Sequence, residues 1–163
     1  MQAALGSKEC EEELIVSNAH TISSMNNEWI QSVRASGRFH DYKWNKRLRV
    51  QVTTLDKLCE CYGEPRFCKI DVEGFEFEVI KGLSHPIPFI SFEFTPEFID
   101  PAIKSIKRLS AIGKYEFNYA VGESMAWVLA MWLGPEEMCG TLLSLTNKSI
   151  FGDVYARVSE DSV

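Results

Sequence analysis

With 163 residues, 45% of them hydrophobic and 12% aromatic, the chain is long enough for one domain with a real core and too short for two. A formal charge of -6, with Lys and Arg scattered among the carboxylates, argues against a nucleic-acid partner. Residues 125–133, the longest apolar stretch, cover about half of a bilayer span. They stop at Gly134-Pro135, and residues 1–13 lack a signal-peptide pattern, so a soluble, cytoplasmic chain without membrane contact is expected.

Residues 1–47 form the less regular part of a single unit spanning 1–163. Within them, residues 13–17 (ELIVS) suit a strand, and residues 26–34 a helix with Asn26 or Asn27 as its cap. Lys43, Lys46, Arg47 and Arg49, with Tyr42 and Trp44 beside them, make the densest basic stretch. It reads as a solvated loop, or else as a grip for an anionic substrate.

From residue 48 onward, strand and helix periods alternate. Residues 48–53 alternate as a half-exposed strand, and Thr54 offers a cap for a helix over 55–62, which Gly63 ends. Residues 67–71 (FCKID) suit a buried strand. A helix follows at once, with Phe75, Val79, Ile80 and Leu83 on one face, while Glu73, Glu76 and Glu78 favour its dipole. Residues 87–94 predict the next strand, and Thr95-Pro96-Glu97 starts a helix that turns Ile99, Ile103, Ile106 and Leu109 inward and closes at Gly113. A strand over 115–119, an apolar helix over 124–133 with Met125, Trp127, Met131 and Trp132, a helix over 135–145 and a strand over 152–158 complete the series. The apolar helix is expected to pack in the core or at an association surface. Strands separated by helices predict an α/β fold with a mainly parallel sheet.

The chemistry concentrates in Lys69-Ile70-Asp71-Val72-Glu73-Gly74-Phe75-Glu76, where carboxylates sit between a strand and a helix. In open α/β sheets that edge is where ligands bind. Asp71 and Glu73 could accept hydrogen bonds from a cofactor amine, bind a cation or act as a base, and Gly74 would allow close backbone approach. Spacing alone equally allows Asp71 to cap the helix and Glu73 to complement its dipole. His40 beside Asp41 suits a base in principle, although a loop histidine without a role is the simpler reading.

This string resembles the hallmark of the FkbM methyltransferases, a KIDVEG-type sequence followed by a helix reading like ExEVxKG, here residues 75–82. Thr53-Thr54-Leu55-Asp56-Lys57-Leu58 resembles the family's TLD-x-L element, and Ile90-Ser91-Phe92-Glu93-Phe94 its next strand. The likeness runs from about residue 13 to 158, with its core over 53–94. It implies part of a class I methyltransferase sheet, Rossmann-like and mainly parallel, with an antiparallel last strand and the first strands missing. It also implies S-adenosylmethionine as methyl donor and a small-molecule acceptor, such as a metabolite or sugar hydroxyl. Asp71 and Glu73 are then the catalytic candidates, and Asp71 and Gly74 the cofactor-binding ones. No metal is assigned; should Mg²⁺ bind, Asp71 and Glu93, joined by Glu97, are where it would sit.

The family's glycine-rich donor turn has no counterpart, since none of the ten glycines forms a G-x-G pair. The competing expectation is therefore a truncated, non-catalytic remnant that folds or associates without binding the donor. An incomplete sheet leaves an exposed edge, through which a homo-oligomer is expected. A different nucleotide-binding α/β protein is disfavoured by the lack of a phosphate loop.

Overall fold

The computed structural model describes residues 2–124, 126–145 and 150–159. Its strands form two sheets. In the smaller, β1 (Ala4–Leu5) runs parallel to β3 (Trp44–Thr53), which pairs antiparallel with β2 (Cys10–Ser17), giving the order β1-β3-β2. The larger has the order β4-β5-β7-β6, with β4 (Cys68–Ile70), β5 (Phe89–Phe94), β6 (Tyr115–Val121) and β7 (Gly152–Val158).

The α/β character holds, and the last strand is antiparallel as expected. In the larger sheet β4, β5 and β6 all run the same way, and β7 inserts between β5 and β6 and runs against both, so the sheet is mixed through that one strand. That insertion is a long-range pairing which no local period encodes.

Helices α3 (Glu76–Lys81), α4 (Asp100–Ile112) and α5 (Pro135–Leu143) cover one face of the larger sheet. Ile90 and Phe92 of β5, Phe117 of β6, and Val154 and Ala156 of β7 meet Leu83, Ile106 and Met138 there, all fully buried. Helix α2 (Leu55–Tyr62) begins at Thr54, whose side chain accepts the Lys57 N–H as predicted, and sends Leu55 into the same core. A second core lies under β2. Helix α1 (Asn27–Ser36), capped by Asn26, packs Trp29, Ile30 and Val33 against Ile15 and Ile22.

Two local expectations are corrected. The basic stretch is not a loop: Lys46, Arg47 and Arg49 lie in β3, where Arg47 pairs with Glu13 and Arg49 with Glu11 across the ribbon. Cross-strand acids make a strand of what looked like a solvated run. Residues 126–133 are not helical either, and residue 125 lies outside the described residues. Their backbone partners come from β6, with Val128 N–H donating to Tyr119 O and Leu133 pairing with Phe117, while Leu129 N–H donates to Asn118 Oδ1. The segment therefore forms a strap along the edge of β6. No helix among the described residues is long and apolar enough to cross a membrane.

Candidate functional site

Register fixes the site. Ile70 pairs with Phe92 and Lys69 with Ser91, so Asp71, one residue past β4, stands level with Glu93 of β5 on the same side of the sheet. Glu93 in turn opposes Asp153 of β7. The carboxyl ends of two parallel strands thus present Asp71 and Glu93 side by side.

Glu73 joins them through an unusual turn. The helix does not begin directly after Asp71: Glu73 (φ 52°) and Gly74 (φ 83°) both take left-handed backbone first. For a glutamate this conformation costs about 1–2 kcal/mol, so its surroundings must hold it. Ser24 Oγ donates to Glu73 O at 2.6 Å, and Asn26 Nδ2 donates to Gly74 O at 2.7 Å. From the other side, Glu76 Oε1 accepts the N–H groups of Gly74 at 3.1 Å and Val72 at 3.3 Å. A Cβ on Gly74 would fall inside the side chain of Trp29. As a result, Asp71, Glu73 and Glu93 each bring a carboxylate oxygen to within 4.8 Å of the others.

Asp71 does not cap the following helix. Phe75 holds the cap position without a side-chain bond, and Asp71 pairs with Lys69 at 3.5 Å, which also reaches Asp153 at 2.8 Å. Burial, reinforced by Asp71 and Glu76, pushes the Glu73 carboxyl up to about 8. Burial pushes Glu93 up to about 8 as well, helped by Glu73, Glu76 and Asp71. Glu76, 4% exposed, is raised by burial and pulled back by its backbone donors, to a net value of about 7.

Two cavities meet at Glu93 and Phe151. A cleft of about 390 Å³ is lined by Lys69, Asp71, Asp153 and Tyr155, and a smaller pocket of about 140 Å³ by Trp29, Phe39, Glu73 and Thr95. Their carboxylates and rings suit a cationic or hydroxylated ligand. The carboxylate trio offers three of the oxygen ligands that a hard cation needs.

Glu97 is not part of this cluster. It forms a nearly buried pair with Arg38 at 2.5 Å. His40 and Asp41 pair with each other at 3.1 Å and face solvent. Trp29, Arg38 and Phe151, which line the smaller pocket, enter the site without having been singled out by sequence, and Glu76 enters it although its expected part was only to complement the helix dipole. Glu76 could have been found, because it shares a helical face with Val79, Ile80 and Leu83, an acid on an apolar stripe.

An acidic ligand-type edge on an α/β sheet defines the class of protein only broadly. A family model described as methyltransferase FkbM domain matches residues 1–120, and the chain belongs to that family. The match starts before residue 13 and ends with β6, so the strap, α5 and β7 lie outside it. No curated protein and no solved structure matches the chain.

Proposed function

We propose that the chain carries the acceptor end of an S-adenosylmethionine-dependent methyltransferase site and methylates an oxygen of a small metabolite or sugar. The strand order β4-β5-β7-β6, with β7 antiparallel, supports reading the larger sheet as the second part of a class I methyltransferase sheet. The observation that carries the proposal is the convergence of Asp71, Glu73 and Glu93 at the ends of β4 and β5, two of them with carboxyls near 8. A general base works best when its pKa lies near the operating pH.

The chemistry of the cluster fits a cationic donor, which Asp71 and Gly74 would hold. When bound, S-adenosylmethionine supplies an electrophilic methyl group for in-line transfer. The chain's own part is positioning and proton transfer. Glu73 or Glu93 would take the acceptor hydroxyl proton as the oxygen–methyl bond forms and the sulfur–methyl bond of the donor breaks, the electron pair staying on sulfur, and Asp71 would orient the reactants. The rings of Trp29, Phe39 and Phe151 give the smaller pocket an apolar wall.

Calorimetric titration with S-adenosylmethionine tests this. Saturable binding is expected, with an apparent enthalpy that changes with buffer ionisation, because a cation beside Glu73 and Glu93 lowers their pKa and expels protons. Asp71→Ala should remove binding and leave unfolding cooperative. Absence of binding at millimolar ligand would favour the non-catalytic reading, to which the lack of a G-x-G pair already points.

A further inference from the structure

The two cavities at the site differ in what balances their acids. In the larger cleft, Lys69 reaches both Asp71 at 3.5 Å and Asp153 at 2.8 Å. The smaller pocket is lined by a cation as well, Arg38, but its guanidinium is taken up by Glu97, to which it donates from Nε and, at 3.2 Å, from Nη2. Glu73 and Glu93 line the same pocket, and among the described residues no group donates to either carboxyl or forms an ion pair with it. Burial and neighbouring acids, with no cation to oppose them, are what hold both near 8. Across from these two acids stand the rings of Trp29, Phe39 and Phe151.

We propose that the smaller pocket binds an organic ammonium group, and that the acceptor is an amino alcohol of a few carbons; the class of acceptor rests on the methyl-transfer reading, whereas the ammonium site does not. The spacing of the acids fits. A primary ammonium that donates to two oxygens at about 2.8 Å along tetrahedral directions holds them roughly 4.6 Å apart, and the Glu73 and Glu93 carboxylate oxygens lie within 4.8 Å of each other. The rings supply the other half of the recognition, since an alkylammonium is attracted to aromatic faces and covers its carbons against them. A hard metal ion would need about six oxygens, and on the ring side it would meet none.

Size narrows the ligand further. A volume of about 140 Å³, at about 30 Å³ per water-sized group, has room for roughly five heavy atoms, too few for a donor that carries a nucleoside. Glu73 lines only the smaller of the two cavities, whereas Glu93 lines both. With its ammonium against Glu73, a short amino alcohol therefore brings its hydroxyl to Glu93, where the larger cleft opens. An anionic acceptor is excluded by the same two acids, and a neutral one leaves them without a counter-charge.

Three two-carbon alcohols that differ in charge test the proposal on the full chain: ethanolamine, ethylene glycol and glycolate, titrated separately and followed by proton–nitrogen correlation NMR. Ethanolamine is expected to bind in the low-millimolar range usual for so small a ligand, shifting the Trp29 indole N–H and the Gly74 amide. Ethylene glycol should bind at least about 10-fold more weakly, as expected for loss of a charged hydrogen bond, and glycolate should cause no saturable shift. Glu73→Gln should weaken ethanolamine by a similar factor, while Glu60→Gln, at an exposed position on α2, should leave it unchanged; circular dichroism verifies that each variant is folded. No saturable binding of ethanolamine, binding of ethylene glycol or glycolate as tight as that of ethanolamine, or equal effects of the two substitutions would each overturn the site. The ligand series is read on the parent chain and needs neither donor nor turnover, so its failure leaves the methyl-transfer reading untouched, and failure of the donor titration leaves the ammonium site standing.

Discussion

Replacing Gly74 with alanine separates two costs that usually occur together. Gly74 has φ 83° and abuts Trp29, whereas Gly37, at the end of α1, has the same φ of 83° with nothing within 4 Å of an added Cβ. Gly37→Ala therefore pays only for left-handed backbone, about 1 kcal/mol. Gly74→Ala adds a collision with Trp29 Cβ, Cγ and Cδ1. Trp29 is 2% exposed and wedged against Phe39 and Trp44 at 6.0 and 6.4 Å, so it has little room to retreat. Overpacking of that kind costs about 1–3 kcal/mol more. Urea unfolding followed by circular dichroism should place Gly74→Ala about 1–3 kcal/mol below Gly37→Ala with a similar m-value. The Trp29 shift should also alter tryptophan fluorescence in the Gly74 variant alone. Equal losses for the two alanines would show that Trp29 does not hold the turn, and the account of the site's geometry would fail with it.

The buried carboxyls set a pH dependence whose sign is fixed. Glu73 and Glu93 are raised from 4.5 to about 8, so between those values the folded state binds more protons than the unfolded one and stability falls as pH rises, levelling off above about 8. Glu93→Gln should flatten that fall and raise stability at pH 9; an unchanged slope of urea midpoint against pH would refute the assignment. Glu76→Ala leaves the N–H groups of Val72 and Gly74 without their acceptor and should cost about 2–4 kcal/mol. Glu76→Gln keeps an acceptor oxygen and should cost less at pH 8, where the native group is mostly charged; equal losses would show that the charge, and not the two bonds, is what Glu76 provides.

Where the fold was legible in sequence, the signal was local. Thr54 and Gly63 bracket α2, and the run from Gly152 to Val158 alternates cleanly, so both elements fall at their predicted bounds. Asn26 caps α1 for the same reason, its side chain accepting the N–H groups of Glu28 and Trp29. What escaped depends on partners distant in sequence. The strand character of the basic stretch comes from Glu11 and Glu13, more than 30 residues away by the separations of 38 and 34. The strap is apolar all along its length, and only its pairing with Phe117 and Tyr119 shows that it finishes a sheet edge instead of coiling. In the site, Asp71 and Glu93 were readable from strand ends, while the left-handed Glu73 was not, because nothing in a glutamate announces that conformation.

The position of that strained residue ties the smaller core to the chemistry. Glu73 and Gly74 belong to the β4–α3 turn of the larger sheet, yet the groups that hold their carbonyls are Ser24 and Asn26, at the start of α1. Asn26 spends its side chain twice, its oxygen capping α1 and its amide reaching Gly74. Trp29, one turn further on, fills the space beside Gly74 and also walls the smaller pocket. Glu76 holds the same turn from the opposite side. The separation of Asp71, Glu73 and Glu93 is therefore set by two cores closing on one turn, and neither core alone would keep a glutamate in a conformation that costs it about 1–2 kcal/mol. On this view the β2–β3 ribbon and α1 are part of the site's scaffold, and loosening Ile15, Ile22 or Val33 would act on the carboxylates through the backbone before it reached the sheet.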